Sequence, residues 1–376
     1  MNTKYPDMNT KYKEKVKIYG TLGPACSRTE VLKRMFEEGM DGIRLNLSHT
    51  TLEEASELIE NFHNAAREAS SNATRVFRPE LMIDMQGPEL RVGRLKAPLT
   101  LEEGTVINLE SIPLPELVLE ELRRRGNERR NSQEILLDDG KLLLELQYDE
   151  AECETKRIEH ESQYSETPAS PSANAYPLMA KVIRGGVLTG RKSIALPGCF
   201  IDTPAMTAAD LENIRLAKQF GVTAVMQPFV RSKEDLMEVR RALDQAGGSD
   251  IRLFAKIENM TGLSKLDELI PCCDEIVIAR GDLGNAMELW ELPAAQKKIA
   301  AACRKAERDF MVVTQMLESM THRKVPSRAE VSDIFNAVLD GAASVMVTGE
   351  TAAGEYPEIV IRYLARTVRE AEKYMY

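Results

Sequence analysis

The chain has 376 residues, of which 43% are hydrophobic and 29% are charged, a composition typical of a globular protein with a sizeable buried core. Lys and Arg total 49 and Asp and Glu total 59, and the resulting net charge of −10 argues against nucleic acid or an anionic membrane as the main partner. No window approaches the roughly 20 apolar residues of a membrane span. The polar N-terminus and the six scattered cysteines are typical of a cytoplasmic protein with reduced thiols.

Short β-branched and apolar runs alternate with longer amphipathic runs along most of the chain. The short runs predict eight strands, at residues 16–22, 42–48, 81–86, 223–229, 252–257, 275–280, 310–315 and 344–348. The longer runs predict eight helices, at residues 29–39, 52–69, 208–220, 233–246, 261–270, 293–308, 328–341 and 357–376.

This alternation predicts a parallel sheet whose strands are joined by right-handed helical crossovers. Eight such units close naturally into a (β/α)₈ TIM barrel, and a doubly wound open sheet is the alternative. The count of eight and the polar residues that follow every strand favour the barrel.

Residues 89–195 interrupt the alternation. They contain strand-like pieces at 105–109 and 134–146, with an Asp-Asp-Gly turn signal at 138–140, and a polar segment at 161–174 that we expect to be a loop. We predict a small β-rich domain inserted after barrel strand 3, so that residues 1–88 and 196–376 form the barrel. An insertion there lies over the C-terminal face, where barrel active sites form.

Polar side chains gather at the C-terminal ends of the predicted strands. Residues two apart in a strand share a face, so many of these side chains should converge on one mouth. The set comprises Arg44, Asn46, Ser48, Asp84, Lys256, Glu258, Arg280, Asp282, Thr314, Thr348 and Glu350. For a single charged residue a salt-bridge network is the more frequent role, but a set of this size at one end of eight strands favours a functional site.

Glu258 and Asp282 follow neighbouring strands, which run about 4.8 Å apart. Two close carboxylates repel unless a proton or cation lies between them, and the pair suits Mg²⁺ or Mn²⁺. Lys256 is a compact charge suited to a phosphoryl group in transfer, and Arg44 adds a guanidinium that matches phosphate geometry. His49 follows the second strand and is a candidate to line the same site.

Ten segments of the chain, taken in order, carry a resemblance that spans nearly its whole length. They are KIYGTLGPAC from Lys17, IRLNLSHT from Ile43, IDMQGPELRVG from Ile83, LLDDGKLLLEL from Leu136, ALPGCFIDTPAMT from Ala195, AKIENMTGL from Ala255, IARGDLGNAMEL from Ile278, TQMLESM from Thr314, SRAEVSDIFNAVLDGA from Ser327 and TGETAAGEYP from Thr348. With these segments the chain closely resembles the pyruvate kinases.

The resemblance implies a role for each matching residue. Catalytic residues would be Lys256, Arg44 and Thr314, the last near the donor of a proton to the enolate. Glu258 and Asp282 would bind Mg²⁺ or Mn²⁺, and Asn46, Ser48, Asp84 and the Met85 carbonyl would bind K⁺, with Glu89 at the position associated with potassium dependence. The amides of Gly281 and Asp282 would hold the carboxylate of phosphoenolpyruvate, beside Thr314. Thr21, Pro24, Asn46, His49, Arg91 and Lys192 would contact the nucleotide.

The chain departs from the family pattern at several positions. The family usually carries Lys at the position of Gln86, Thr at Met85, Ser at Pro228 and Asn at Ala195. The chain stops at Tyr376, where the predicted barrel ends, so we expect a form that lacks the family's C-terminal domain and its regulation by sugar phosphates.

The resemblance implies a pyruvate kinase, which transfers the phosphoryl group of phosphoenolpyruvate to ADP and yields pyruvate and ATP in glycolysis. Two alternatives remain: a lyase or decarboxylase that uses the same metal–enolate site, and a non-catalytic sensor that binds phosphoenolpyruvate. Expected partners are therefore these metabolites, without nucleic acid or membrane, and contact between copies through the barrel is left open.

Overall fold

The computed structural model describes residues 15–48, 50–71, 79–127, 133–138, 140–147, 178–199, 201 and 203–375. Within these ranges the strands are β1 (Lys17–Thr21), β2 (Gly42–Asn46), β3 (Glu80–Asp84), β4 (Leu99–Leu101), β5 (Val106–Asn108), β6 (Glu134–Leu137), β7 (Leu142–Gln147), β8 (Met179–Arg184), β9 (Gly186–Leu188), β10 (Ile194–Ala195), β11 (Ala224–Gln227), β12 (Arg252–Ile257), β13 (Glu275–Ala279), β14 (Asp309–Val313) and β15 (Ser344–Met346).

The α-helices of the same ranges are α1 (Thr29–Glu38), α2 (Ser56–Ser71), α3 (Glu116–Asn127), α4 (Ala208–Ala217), α5 (Lys233–Gln245), α6 (Met260–Ser264), α7 (Leu266–Leu269), α8 (Arg280–Asn285), α9 (Leu292–Lys305), α10 (Arg328–Leu339), α11 (Gly349–Ala352) and α12 (Pro357–Glu372). No described helix is both long enough and apolar enough to cross a membrane.

Eight of the strands form a closed parallel barrel in the order β1-β15-β14-β13-β12-β11-β3-β2. These are the eight strands that the sequence predicts, so the barrel is confirmed and the open-sheet alternative is wrong. The predicted helix at 261–270 is divided, since α6 ends at Ser264 and α7 begins at Leu266.

Alternation along each strand divides the barrel residues between two apolar clusters. On β12, Leu253 and Ala255 pack in the large cluster shared with the surrounding helices, whereas Phe254 belongs to the small cluster inside the barrel. The same alternation places Met82 of β3 inside the barrel. Because the period is two, residues two positions away from these inner residues also face inward, and they are polar at both ends of the barrel.

The insertion after β3 is β-rich, as predicted. A five-stranded antiparallel sheet has the order β10-β6-β7-β8-β5, and β4 pairs with β9 beside it. Its own hydrophobic cluster runs from Val92 to Leu196 and includes Val118 and Leu122 of α3, with Cys199 and Ile201 packed against it. The predicted loop at 161–174 lies outside the described residues.

Both connections between the barrel and the insertion are held by charged side chains. The carboxylate of Asp210 accepts hydrogen bonds from the backbone N–H groups of Gln86 (2.8 Å) and Gly87 (3.0 Å), and it closes a capping box with Thr207 at the start of α4. On the return connection, the Arg231 guanidinium donates to the Thr203 carbonyl at 2.6 Å and pairs with Asp235.

Candidate active site

Inward-facing residues of β2, β3 and β12 meet at the C-terminal mouth of the barrel. The Asp84 carboxylate lies between two cations: Arg44 Nη2 lies 2.6 Å from Asp84 Oδ2, and Lys256 Nζ lies 3.1 Å from the same oxygen. The Asp84 side chain is only 2% exposed. Burial raises the pKa of Asp84, but Lys256 and Arg44 more than offset this and hold the pKa below its usual range.

Glu258 follows β12 and extends this network. Lys256 Nζ lies 2.9 Å from Glu258 Oε1, and the backbone N–H of Phe229 donates to Glu258 Oε2 at 2.8 Å. Phe229 has a left-handed backbone, with φ of 52°, which is uncommon outside glycine and occurs at the end of a barrel strand. The sequence gives no signal for this amide, because its position depends on the local backbone rather than on a side chain.

The charges of the mouth change one another's pKa values. Burial, together with the nearby carboxylates of Asp282 and Asp84, raises the pKa of Glu258 to about 7 although Lys256 opposes the change. Burial lowers the pKa of Lys256, but Asp84 and Glu258 outweigh burial, so Lys256 stays charged. The result is an ammonium group in front of two carboxylates.

Helix α8, which follows β13 directly, brings Gly281 and Asp282 to Thr314, the residue after β14. A β-carbon on Gly281 would lie 3.2 Å from Thr314 Cγ2, so the Thr314 side chain limits the space beside Gly281. Thr314 and Gln315 both have left-handed backbones, with φ of 81° and 54°, and the Arg280 guanidinium donates to the Thr314 carbonyl at 2.7 Å. Consecutive non-glycine residues in this conformation indicate backbone strain at the mouth.

Glu258 and Asp282 line one cavity of about 290 Å³ between the barrel and the insertion. Their repulsion and their oxygen donors suit a divalent cation such as Mg²⁺ or Mn²⁺, which uses few carboxylates and retains places for water and substrate. Within the described ranges no group of three or more His, Cys, Asp or Glu side chains forms a metal cluster. The two carboxylates on one cavity fit a cation that they hold together.

The residues predicted to bind K⁺ lie at the ends of β2 and β3. The Asn46 Oδ1 accepts a hydrogen bond from the Ser48 backbone N–H at 3.2 Å, and Asp84 belongs to the network with Arg44 and Lys256. Met85 is buried, and its backbone N–H donates to the Met226 carbonyl at 3.1 Å. Asp84 already neutralises two cations here, so its predicted role in a K⁺ site stays a prediction.

The residues predicted to contact the nucleotide lie on both sides of the mouth. The Arg91 guanidinium donates to Glu89 Oε2 at 2.6 Å, and Lys192 Nζ lies 2.8 Å from Asp138 Oδ1 within the insertion. Pro24 is exposed at the start of a short 3₁₀ helix. Thr21 is buried, and its hydroxyl donates to the Val347 carbonyl at 3.0 Å. His49 lies outside the described residues.

Arg280 and Glu350, which the strand alternation predicted to lie at the mouth, instead form contacts that stabilise loops. The Arg280 guanidinium pairs with Asp333 of α10 at 2.6 Å in addition to its bond to the Thr314 carbonyl. Glu350 is fully buried and accepts hydrogen bonds from the backbone N–H groups of Leu317 and Thr348. The strand before Arg280 is β13, which ends at Ala279, so the alternation of side chains along a strand no longer applies at Arg280.

A family model described as the pyruvate kinase barrel domain matches residues 13–167 and 169–361. The chain belongs to the pyruvate kinase family. Among relatives, the pyruvate kinases of Methylorubrum extorquens and Leishmania mexicana are 34% and 33% identical to it over 96% and 95% of its length. A third pyruvate kinase, from Geobacillus stearothermophilus, is 31% identical over 96% of the chain.

The chain spans 70%, 67% and 57% of the length of these three pyruvate kinases, in the same order. The family match covers both parts of the barrel and most of the insertion. Among the family departures, Pro228 packs against the connection into the insertion: its Cγ occupies the place that a β-carbon of residue 87 would take, and Gly87 has a φ of 59°.

Proposed function

We propose that the chain is a pyruvate kinase that transfers a phosphoryl group from phosphoenolpyruvate to ADP. The observation that carries this proposal is the buried network of Arg44, Asp84, Lys256 and Glu258, which lies beside a cavity lined by Asp282. Such a network provides positive charge that is fixed in place before substrate arrives, as phosphoryl transfer requires.

In the proposed reaction, an oxygen of the terminal ADP phosphate attacks the phosphorus of phosphoenolpyruvate, and the bond from phosphorus to the enol oxygen breaks. The electron pair of that bond stays on the enol oxygen, and the enolate then takes a proton at carbon 3 to give pyruvate. Lys256 and Arg44 face the negative charge that spreads over the transferring group. They are held in place by Asp84, so little reorganisation is needed.

The substrate carboxylate would be held by the backbone N–H groups of Gly281 and Asp282, and Thr314 would stand beside the enolate as part of the path for its proton. The close approach of Thr314 to Gly281 supports a shared position for these groups. A β-carbon at residue 281 would move Thr314 or the bound carboxylate.

Pyruvate kinases are generally metal-dependent, and we propose Mg²⁺ or Mn²⁺ at Glu258 and Asp282, with K⁺ near Asn46, Ser48, Asp84 and the Met85 carbonyl. A bound divalent cation would polarise the phosphate and stabilise the enolate oxygen. The convergence of Asp282 and Glu258 on one cavity supports the first of these sites.

We propose that residues 89–195 close over the nucleotide, which Thr21, Pro24, Asn46, His49, Arg91 and Lys192 would contact. Closure would exclude water from the transferring phosphoryl group. The cysteines within the described ranges are free thiols, which supports a cytoplasmic location. Contact between copies through the barrel stays a prediction.

A lactate-dehydrogenase-coupled assay with phosphoenolpyruvate, ADP, Mg²⁺ and K⁺ tests the proposal, and we expect pyruvate formation that depends on ADP. Lys256→Met should lower kcat by about 10³-fold or more, because it removes a charge that acts on the transition state. Lys17→Met is the matched control, since Lys17 pairs with Glu80 at the opposite end of the barrel.

Absence of ADP-dependent pyruvate would overturn the proposal. Pyruvate release from an oxo-acid without ADP would favour the lyase alternative. Calorimetric binding of phosphoenolpyruvate without any turnover would favour the sensor.

A further inference from the structure

A second cavity of about 290 Å³ lies at the N-terminal ends of β12 and β13, at the end of the barrel opposite to the candidate active site. Its wall includes three arginines, Arg240, Arg252 and Arg308, and two aspartates, Asp250 and Asp274. We call this space the basal cavity. It shares no lining residue with the cavity at the mouth.

Both aspartates of the basal cavity already have partners. Asp274 Oδ2 accepts from the Leu253 backbone N–H at 2.7 Å and from Arg240 Nη2 at 3.3 Å. Asp250 lies 3.5 Å from the Nζ of Lys218, outside the cavity wall. The negative charge of the wall is therefore largely neutralised by neighbouring cations.

Two of the three arginines are also held in place. Arg240 donates from both terminal nitrogens to the Ile251 carbonyl, each at 3.0 Å. Arg252 pairs with Glu80 and approaches Glu275 at 3.9 Å. These contacts fix the two guanidinium groups at the wall of the cavity.

Arg308 differs from the other two. Its Nε is buried and has no hydrogen-bond partner, and its guanidinium makes no salt bridge with a carboxylate, in the part of the chain that the structure describes. Its neighbours include the thiols of Cys273 and Cys303, on which its positive charge acts. Arg308 therefore adds to the cavity wall a positive charge that no carboxylate of the described residues neutralises, which suits a ligand that carries negative charge.

We propose that the basal cavity binds a small oxyanion, a phosphate or a carboxylate, through the guanidinium of Arg308. The planar fork of a guanidinium matches both kinds of anion, and an anion would supply the negatively charged partner that Arg308 lacks among the described residues. The volume is sufficient for inorganic phosphate or a metabolite of a few carbon atoms. Arg240, Arg252 and the Ser249 hydroxyl complete the polar wall.

The test uses Cys272, which lines the basal cavity and is partly exposed, as a local probe. Labelling of Cys272 by N-ethylmaleimide is followed by mass spectrometry while inorganic phosphate or succinate is titrated into the full chain. Free N-acetylcysteine labelled in the same mixture is the reference for any direct effect of the anions on the reagent. We expect phosphate, succinate or both to slow labelling of Cys272 severalfold in a saturable manner, without the same effect on the free thiol.

Arg308→Gln should raise the anion concentration that gives half-protection by about tenfold or more, since one charged hydrogen-bonding partner is lost. Arg308→Lys keeps the charge and should retain part of the protection. Arg241→Gln is the matched control, because Arg241 is exposed on the same helix as Arg240 and is not part of the cavity wall. Circular dichroism checks that each variant is folded.

Protection by phosphate alone would identify a phosphate site, and protection by both anions would identify a general oxyanion site. The proposal is overturned if neither anion protects Cys272, or if Arg308→Gln and wild type are protected alike. Protection that is weak, unsaturable and equal in all variants would indicate an adventitious ion only, and would overturn it as well.

Discussion

The two ends of the barrel interior have similar chemistry but different surroundings. On β3 the inner residues are Glu80, Met82 and Asp84, and on β12 they are Arg252, Phe254 and Lys256, so an apolar layer separates two charged layers. Each end also holds one buried glutamate whose pKa is raised to about 7, Glu275 at the N-terminal end and Glu258 at the mouth.

The cause of the raised pKa differs between these two glutamates. Burial alone accounts for most of the change at Glu275, where Ser344 and Arg252 act in the opposite direction. At Glu258, two further carboxylates add to burial, and the side chain faces a cavity. The raised pKa is thus common to both glutamates, whereas only Glu258 has further carboxylates beside it at a cavity, and for this reason we propose a functional role for Glu258.

The largest expected difference between the two ends concerns activity. Glu258→Gln removes a proposed metal ligand and should lower kcat/KM by about 10²–10³-fold or more, whereas Glu275→Gln should change it by less than about threefold. The coupled assay at saturating Mg²⁺ measures both.

Binding of Mn²⁺, measured by electron paramagnetic resonance, provides the control for this pair. Glu258→Gln should weaken it and Glu275→Gln should not. Equal losses of activity in the two variants would mean that the two ends are not functionally distinct.

The next effect concerns stability against pH at the N-terminal end. The pKa of Glu275 is about 7 in the folded chain, above the ordinary value of 4.5, so the unfolded chain gives up its proton first as pH rises. Below about pH 4.5, Glu275 is protonated in both states and does not lower the free energy of unfolding. As pH rises, it lowers the free energy of unfolding by an amount that reaches a full value on the order of 3 kcal/mol above about pH 7. Glu275→Gln should therefore gain stability relative to wild type between those pH values.

Urea unfolding at several pH values between 4.5 and 8 measures this difference. The sign is the decisive outcome: a variant that loses stability relative to wild type as pH rises would show that Glu275 is ionised and favourably paired in the folded chain.

A smaller effect is expected at the connection into the insertion. Asp210→Ala removes the acceptor for the amides of Gln86 and Gly87 and opens the capping box. It should therefore lower the free energy of unfolding by about 2 kcal/mol and raise the KM for ADP several-fold. Ser327→Ala removes the second capping box of the described helices, at α10. This substitution should lower the free energy of unfolding by about 1 kcal/mol and leave the KM for ADP unchanged.

Thermal unfolding and steady-state kinetics of both variants separate the two contributions. If the KM for ADP in Asp210→Ala changed no more than in Ser327→Ala, the connection would have no special role in positioning the insertion.

The last expected effect, whose free energy is smaller than that of Asp210→Ala, is that of Gly281→Ala at the mouth. Its β-carbon would lie 3.2 Å from Thr314 Cγ2, which is tight, so the KM for phosphoenolpyruvate should rise by about tenfold, or about 1.4 kcal/mol, with little loss of stability. Calorimetry with phosphoenolpyruvate in the absence of ADP checks that the change is in binding. An unchanged affinity would remove the Gly281 amide from the proposed carboxylate site.

The sequence predicts the barrel well because its signal is local. Alternation on β12 is enough to place Phe254 inside and Lys256 at the mouth, and the order of eight strands then follows from the rules for parallel connections. The same alternation brings Arg44 and Asp84 together, since β2 and β3 are neighbours in register.

Features that depend on loop geometry could not be predicted in this way. The Phe229 amide reaches Glu258 because of a left-handed backbone, and Arg280 turns toward Asp333 because its strand ends one residue earlier. The sequence gives no signal for the basal cavity either. Arg308 follows a helix and lies in a run of charged residues, so nothing in the pattern sets it apart from an ordinary surface charge.

The left-handed residues at the end of β14 have a consequence for redesign of the enzyme. Glycine adopts such a backbone without a steric penalty. Gln315 is exposed, so Gln315→Gly should relieve the strain and stabilise the protein with little loss of activity. At Thr314 the same replacement would remove the side chain that contacts Gly281. The same substitution thus favours stability at Gln315 and endangers activity at Thr314, although the two residues are adjacent and have the same backbone conformation.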